Sequence, residues 1–186
     1  MNIGFALCGS FCTYSQVFPI LELLARDYTV TPILSAAAWS TDTRFGKASD
    51  HIQTLTELCG RPPLHTLPEV EPIGPKGLLD ALIIAPCTGN TLGKLANGIS
   101  DGPVTMAAKS HLRNGRPVLL AVSTNDALSG SAENIGRLLA RKHIYFVPFG
   151  QDDPFGKPAS MVADFSRIPQ ALEAALDGRQ LQPLLL

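Results

Sequence analysis

Strand patterns and helix patterns alternate along this chain, and this alternation restricts the fold more than any other feature of the sequence. Short apolar runs are followed by stretches in which apolar residues recur every three to four positions. Such an order predicts an α/β fold with a Rossmann-like, open and mainly parallel sheet that carries helices on both faces. Because 186 residues is an ordinary length for one domain, we expect residues 1–186 to form a single α/β domain.

The boundaries of the predicted elements follow from the apolar periodicity and from glycine and proline. Strands are predicted over residues 2–8, 29–34, 79–85, 117–122 and 144–148. Helices are predicted over residues 15–26, 47–59, 90–97, 103–113, 132–141 and 168–176. The segment 61–75 contains five prolines and is predicted to be a stiff loop, since proline disrupts helices and central strands. Residues 35–45 and 151–158 are also predicted loops.

Charge and composition exclude several classes of protein. The net charge of −1 argues against a general nucleic-acid binder, which usually shows a basic excess. The first residues have no positively charged lead before their apolar run, and no apolar run approaches the length of a membrane span. We therefore expect a cytoplasmic protein with reduced thiols at its four cysteines, none of which forms a Cys-x-x-Cys pair.

Four polar loops follow the carboxyl ends of predicted strands, over residues 9–13, 35–45, 86–91 and 123–130. In an open parallel sheet these ends meet at one edge, which is where ligands bind. The loops are rich in Ser, Thr and Asn and poor in charge, which suits a phosphorylated cofactor with a planar, partly apolar ring better than hydrolytic catalysis. The segment 86–91 also fits an ordinary turn into a helix with Thr or Asn as its cap, and spacing alone leaves both interpretations open.

Several common motifs are missing. The loop after the first strand is not Gly-x-Gly-x-x-Gly, and the chain has neither a P-loop nor a Gly-x-Ser-x-Gly elbow. The four histidines show no metal-ligand spacing, so no metal site is predicted, and each histidine is expected at the surface or at a helix end.

Residues 86–101 resemble a segment of the flavin-containing cysteine decarboxylases, the Pro-Ala-Ser-Ala-Asn-Thr motif with the helix and the Ala-Asn-Gly-Ile turn that follow it. Gly9-Ser10 resembles the first flavin loop of that family, and Ser35 with Trp39 its second. The resemblance implies bound FMN and a homo-oligomer whose flavin site lies between neighbouring protomers. The cofactor-binding residues that it implies are Gly9, Ser10, Phe11, Thr13, Ser35, Pro86, Cys87, Thr88, Asn90, Thr91, Ser123 and Asn125.

A closer resemblance covers nearly the whole chain. Residues 6–13, 41–47, 71–75, 107–114, 123–126 and 145–154 resemble the family of dipicolinate synthase B subunits. The resemblance implies a role in sporulation, in the mother-cell cytoplasm: oxidation of a dihydrodipicolinate-type precursor to pyridine-2,6-dicarboxylate. Its implied partner is a separate A subunit, through which NAD(P)H would be supplied.

The chain also departs from the decarboxylases. Glu71-Pro72-Ile73 stands where those enzymes carry a catalytic His, and residues 123–128 keep the Asn of their substrate clamp but lose both Met and the Trp. Flavin-dependent oxidation is the chemistry that could survive this change. No catalytic residue is assigned: Glu71 is a candidate base and Arg44 a candidate for a substrate carboxylate, with Lys47, Lys109 and Arg113 as further cations. Two alternatives stay open, a non-catalytic partner protein with a vestigial flavin site and a flavin-dependent decarboxylase of unknown substrate.

Overall fold

The computed structural model describes residues 1–186 and contains seven strands and eight α-helices. The strands are β1 (Asn2–Leu7), β2 (Thr29–Leu34), β3 (Ala81–Cys87), β4 (Val118–Thr124), β5 (Ile144–Phe146), β6 (Phe149–Gly150) and β7 (Met161–Ala163). The helices are α1 (Tyr14–Asp27), α2 (Ala36–Ser40), α3 (Ala48–Cys59), α4 (Leu67–Val70), α5 (Gly89–Ala96), α6 (Pro103–Leu112), α7 (Ala132–Leu139) and α8 (Ile168–Leu176). Single 3-10 turns cover Phe11–Thr13, Glu71–Ile73 and Phe165–Arg167.

The parallel part of the sheet has the strand order β2-β1-β3-β4-β5. This confirms the predicted α/β class with a mainly parallel sheet. From β1 the chain first adds β2 on one side and then crosses to add β3 on the other side. The carboxyl ends of β1 and β3 therefore flank the point where the winding direction changes, and such a point opens a crevice for a ligand.

A small antiparallel hairpin completes the sheet beside β4. The first half of β4 pairs with β5, whereas its end pairs antiparallel with β7, with Ser123 opposite Val162. β6 pairs with β7, so the loop between them, residues 151–160, is carried to the carboxyl end of β4. β6 and β7 were not predicted, because segments of two and three residues show no recognisable alternation, whereas β5 lies within the strand predicted over residues 144–148.

Two predicted loops contain short helices. Residues 35–45 include α2, because the Ser35 hydroxyl accepts a hydrogen bond from the Ala38 N–H and caps the helix. Residues 61–75 include α4 and a 3-10 turn, with a capping box between Thr66 and Glu69. Pro68 lies in the first turn of α4, where a missing N–H costs nothing, so the predicted absence of a regular helix there was wrong.

The core is formed by the strands and by the helices that cover them. β1, β3 and β4 are buried along almost their whole length, which requires covered faces on both sides of the sheet. α1 and α8 pack against each other and against the sheet, and α6 packs against the sheet together with α4 and α5. The result is one continuous core of 47 buried hydrophobic residues. None of the helices is long and apolar enough to cross a membrane.

Candidate functional site

Two adjoining cavities open at the carboxyl edge of the sheet, where the β1 and β3 loops meet. The narrow cavity has a volume of about 410 Å³, and the wide cavity about 1090 Å³. Gly9, Thr88 and Asn90 line both of them, so the two cavities share one wall. Their volumes span the usual range for sites that bind small molecules and cofactors.

The narrow cavity lies at the N-terminal ends of α5 and α6. Thr88 is the N-cap of α5, and its hydroxyl accepts a hydrogen bond from the Thr91 N–H at 3.4 Å. The first turn of α6 contributes Gly102–Thr105, and Ser35 adds a hydroxyl from the loop after β2. Unpaired N–H groups and the helix dipoles make such ends favourable to an anion. The narrow cavity therefore offers surroundings that favour a negatively charged group such as a phosphate.

Side-chain hydrogen bonds tie the predicted loops together. The hydroxyls of Ser10 and Ser123 lie 2.7 Å apart and join the loop after β1 to the end of β4. The Thr91 hydroxyl donates to the Cys8 sulfur at 3.2 Å and joins α5 to the end of β1. Burial raises the pKa of the Cys8 thiol to about 11, so this thiol stays protonated at neutral pH.

Gly89 makes room for a polar cluster at the wall of the wide cavity. Asp126 Oδ1 accepts hydrogen bonds from the hydroxyls of Thr124, at 2.6 Å, and Ser131, at 2.9 Å. A Cβ at Gly89 would lie 2.7–2.8 Å from all three side chains. The start of α5 can therefore approach the end of β4 only because residue 89 has no side chain.

The charged side chains that line the cavities are mostly paired. In the narrow cavity, Lys94 Nζ lies 2.8 Å from Asp101 Oδ1. In the wide cavity, Lys157 Nζ lies 3.3 Å from Asp152 Oδ2, and the Ser160 hydroxyl together with Lys157 holds the pKa of Asp152 below its ordinary value. Arg44 has no carboxylate partner, and its guanidinium carbon lies 4.8 Å from the ring centroid of Phe45.

The structure brings together most of the residues predicted to bind a cofactor. The predicted residues that line one or both cavities are Gly9, Ser10, Phe11, Thr13, Ser35, Thr88, Asn90, Thr91, Ser123 and Asn125. Arg44 also lines the wide cavity, as its place in a polar loop suggested.

Other predicted residues lie away from the cavities. Pro86 and Cys87 belong to β3 and are buried, because this strand continues two residues beyond its predicted end. Glu71 is exposed in a 3-10 turn, and it lines neither cavity. Lys47, Lys109 and Arg113 line neither cavity, and all three are exposed.

Two groups of cavity-lining residues were not among the site residues predicted from the sequence. The first is the start of α6 together with Lys94, and the Gly102-Pro103 helix start could have indicated it. The second comprises Asp152, Lys157, Ser160 and Val162, from the loop and strand that follow β6. These residues reach the wide cavity only through the antiparallel pairing of β7 with β4, for which the sequence carries no local signal.

Two of the four histidines are buried, although both lie in the end turns of helices, where histidines were predicted. His111 is 1% exposed, and its Nε2–H donates to the carbonyl oxygen of Pro117 at 3.1 Å. His51 is 9% exposed and packs edge-on against Tyr14, with ring centroids 4.9 Å apart. Burial lowers the pKa of both imidazoles, of His111 to about 4.

Comparison with known proteins gives consistent results. The Flavoprotein family model matches residues 1–163. The dipicolinate synthase B subunit of Bacillus subtilis (strain 168) is 49% identical over 186 residues, which are 100% of this chain and 93% of that protein. The crystal structure of the dipicolinate synthase B subunit from Bacillus halodurans C has a TM-score of 0.91 and 47% identity, and the match covers 100% of this chain and 95% of that one.

More distant structures share the fold. DmrB from Burkholderia xenovorans in complex with FMN has a TM-score of 0.70 at 19% identity, with 95% of each chain covered. The FMN-dependent cysteine decarboxylase SpaF has a TM-score of 0.71 at 20% identity, with 94% of this chain and 97% of that chain covered.

Proposed function

Since this chain belongs to the flavoprotein family, and within it to the family of dipicolinate synthase B subunits, we propose that it binds FMN and acts together with an A subunit. The reaction proposed is the oxidation of a dihydrodipicolinate-type precursor to pyridine-2,6-dicarboxylate. The precursor becomes aromatic when it loses two electrons and two protons, so an oxidant is required, and a bound flavin supplies that chemistry.

The observation that carries the proposal is that a cavity bordered by two helix N-termini adjoins a larger, mostly neutral cavity at the β1/β3 crevice. The FMN phosphate would be held by the N-terminal ends of α5 and α6 and by the hydroxyls of Ser35 and Thr88. No unpaired carboxylate lines that cavity, because Asp101 is paired with Lys94. The residues present therefore fit a phosphorylated cofactor.

The wide cavity would hold the flavin ring and the substrate. Its wall combines apolar groups of Phe11 and Val162 with the amides and hydroxyls of Asn90, Asn125 and Ser123, a mixture that suits a planar ring with polar edges. The free guanidinium of Arg44 is available to a substrate carboxylate. Because the chain lacks a dinucleotide fingerprint, we propose that the A subunit supplies the nicotinamide site, whose oxidised cofactor, NAD(P)+, would accept the two electrons removed from the precursor.

Flavin binding is tested by titrating the protein with FMN and following the quenching of flavin fluorescence. Asn90→Ala removes one hydrogen-bonding group from the wall shared by both cavities, so we expect affinity to fall by about 1 kcal/mol, or roughly fivefold. Asn97→Ala is the matched control, because Asn97 lies at the far end of α5 and lines neither cavity. Absence of binding at millimolar FMN would contradict the proposal that this chain binds FMN. It would favour the alternative that the chain is a non-catalytic partner protein.

The reaction is tested by following dipicolinate absorbance with each of the two proteins alone and with both together. We expect little product from this chain alone and much more from the mixture, because no nicotinamide site is recognisable in this chain. Full activity without the A subunit would contradict the two-protein proposal. Release of carbon dioxide from the precursor, without dipicolinate, would instead favour a decarboxylase.

A further inference from the structure

Two basic side chains line the wide cavity from segments that are far apart in the sequence. Arg44 lies on the turn Thr43–Gly46, and Lys157 on the loop between β6 and β7. Two carboxylates, Asp126 and Asp152, line the same cavity. Asp126 is bonded through Oδ1 to two hydroxyls rather than to a cation, and Asp152 is the partner of Lys157.

The backbone that carries Arg44 is held in place. Thr43 and Gly46 exchange two backbone hydrogen bonds of 3.0 and 3.1 Å, which close the turn. Gly46 has a φ of +140° and lies close to the imidazole of His51, since a Cβ there would be 2.7 Å from His51 Cε1. His51 packs in turn against Tyr14, so the turn rests on a buried aromatic contact.

The backbone that carries Lys157 is held equally well. Its N–H donates to the Asp153 carbonyl at 2.8 Å, and its own carbonyl accepts from the Ser160 N–H at 2.9 Å. The side chains of Lys157 and Asp152 are 59% and 30% exposed, however. An ion pair of this exposure contributes little stability, so another carboxylate can replace Asp152 beside Lys157.

We infer that Arg44 and Lys157 together make the wide cavity selective for an aromatic dicarboxylate over the corresponding monocarboxylate. This inference rests on the proposed function and deepens it. Arg44 receives one carboxylate, for which its planar guanidinium is suited, and Lys157 receives the other by exchanging Asp152 for the ligand. A monocarboxylate engages only one of the two cations, so it binds more weakly.

The test measures the affinity of FMN-treated protein for pyridine-2,6-dicarboxylate and for pyridine-2-carboxylate by calorimetry. We expect the dicarboxylate to bind about tenfold more tightly to the unmodified chain, which corresponds to one additional charge-assisted contact. Lys157→Gln and Arg44→Gln should each remove most of this preference, because each lowers the affinity for the dicarboxylate. Asp152→Asn should raise the affinity for the dicarboxylate severalfold, because it frees Lys157 from its carboxylate partner.

Arg113→Gln and Lys76→Gln are the matched controls, because both side chains are exposed and line neither cavity. Equal binding of both ligands to the unmodified chain would overturn the inference, and so would a Lys157→Gln variant that keeps the full preference. FMN fluorescence quenching, measured on the same samples, separates this result from the proposed function. Selectivity without FMN binding would overturn the proposed function alone, whereas FMN binding without selectivity would overturn this inference alone.

Discussion

At the scale of single residues, Gly89 is the position where the contact between α5 and the end of β4 leaves least room. A Cβ would lie 2.7–2.8 Å from Thr124, Asp126 and Ser131, so we expect Gly89→Ala to lower the free energy of unfolding by about 1–3 kcal/mol. Gly136→Ala is the control, because no atom would lie within 4 Å of a Cβ at this position. Alanine in the middle of α7 should raise the free energy of unfolding by roughly 0.5–1 kcal/mol. Urea unfolding measures both, and a Gly89→Ala variant as stable as the wild type would contradict the close approach.

At the scale of elements, His111 fastens the end of α6 to Pro117, just before β4. Burial lowers the pKa of His111 to about 4. Between pH 6.5 and about pH 4 the proton therefore binds only to the unfolded chain, so the folded state loses stability as the pH is lowered. Lowering the pH from 7 to 5 should reduce the free energy of unfolding by about 2 kcal/mol through this imidazole. His111→Gln keeps a donor without the titration, so urea unfolding at both pH values should show a smaller loss for the variant. Equal losses would contradict the pKa shift.

At the scale of the whole molecule, the segment after residue 163 belongs to the same core as the rest, although the family model ends there. Ile168 is fully buried at the start of α8, and Ile168→Ala should lower the free energy of unfolding by about 2–4 kcal/mol. Leu23→Ala, at a side chain 44% exposed, should change it by no more than about 0.5 kcal/mol. A single domain further predicts one calorimetric unfolding transition, and two separate transitions would contradict it.

The sequence by itself determined the elements whose signals are local. The apolar run of β2 and the periodic helix α8 have the bounds that the sequence predicted, and the other predicted elements differ by at most two residues at either end. Because the main strands are parallel, their carboxyl ends had to meet, so the loops that contain Gly9, Ser35, Thr88 and Ser123 could be assigned to one site in advance. Ser35 and Thr88 each also cap a helix, so hydroxyl side chains at strand ends were informative about fold and site together.

Only the tertiary structure decided which remote segments complete that site. The hairpin of β6 and β7 forms because the edge of β4 is free to pair there, and this pairing carries Lys157 and Asp152 to the wide cavity. The burial of His111, the room required at Gly89 and the pairing of Lys94 with Asp101 likewise depend on neighbours outside the local sequence pattern. Apolar periodicity reports the face that one segment buries, whereas a cavity wall depends on how several segments pack, and no single segment encodes that arrangement.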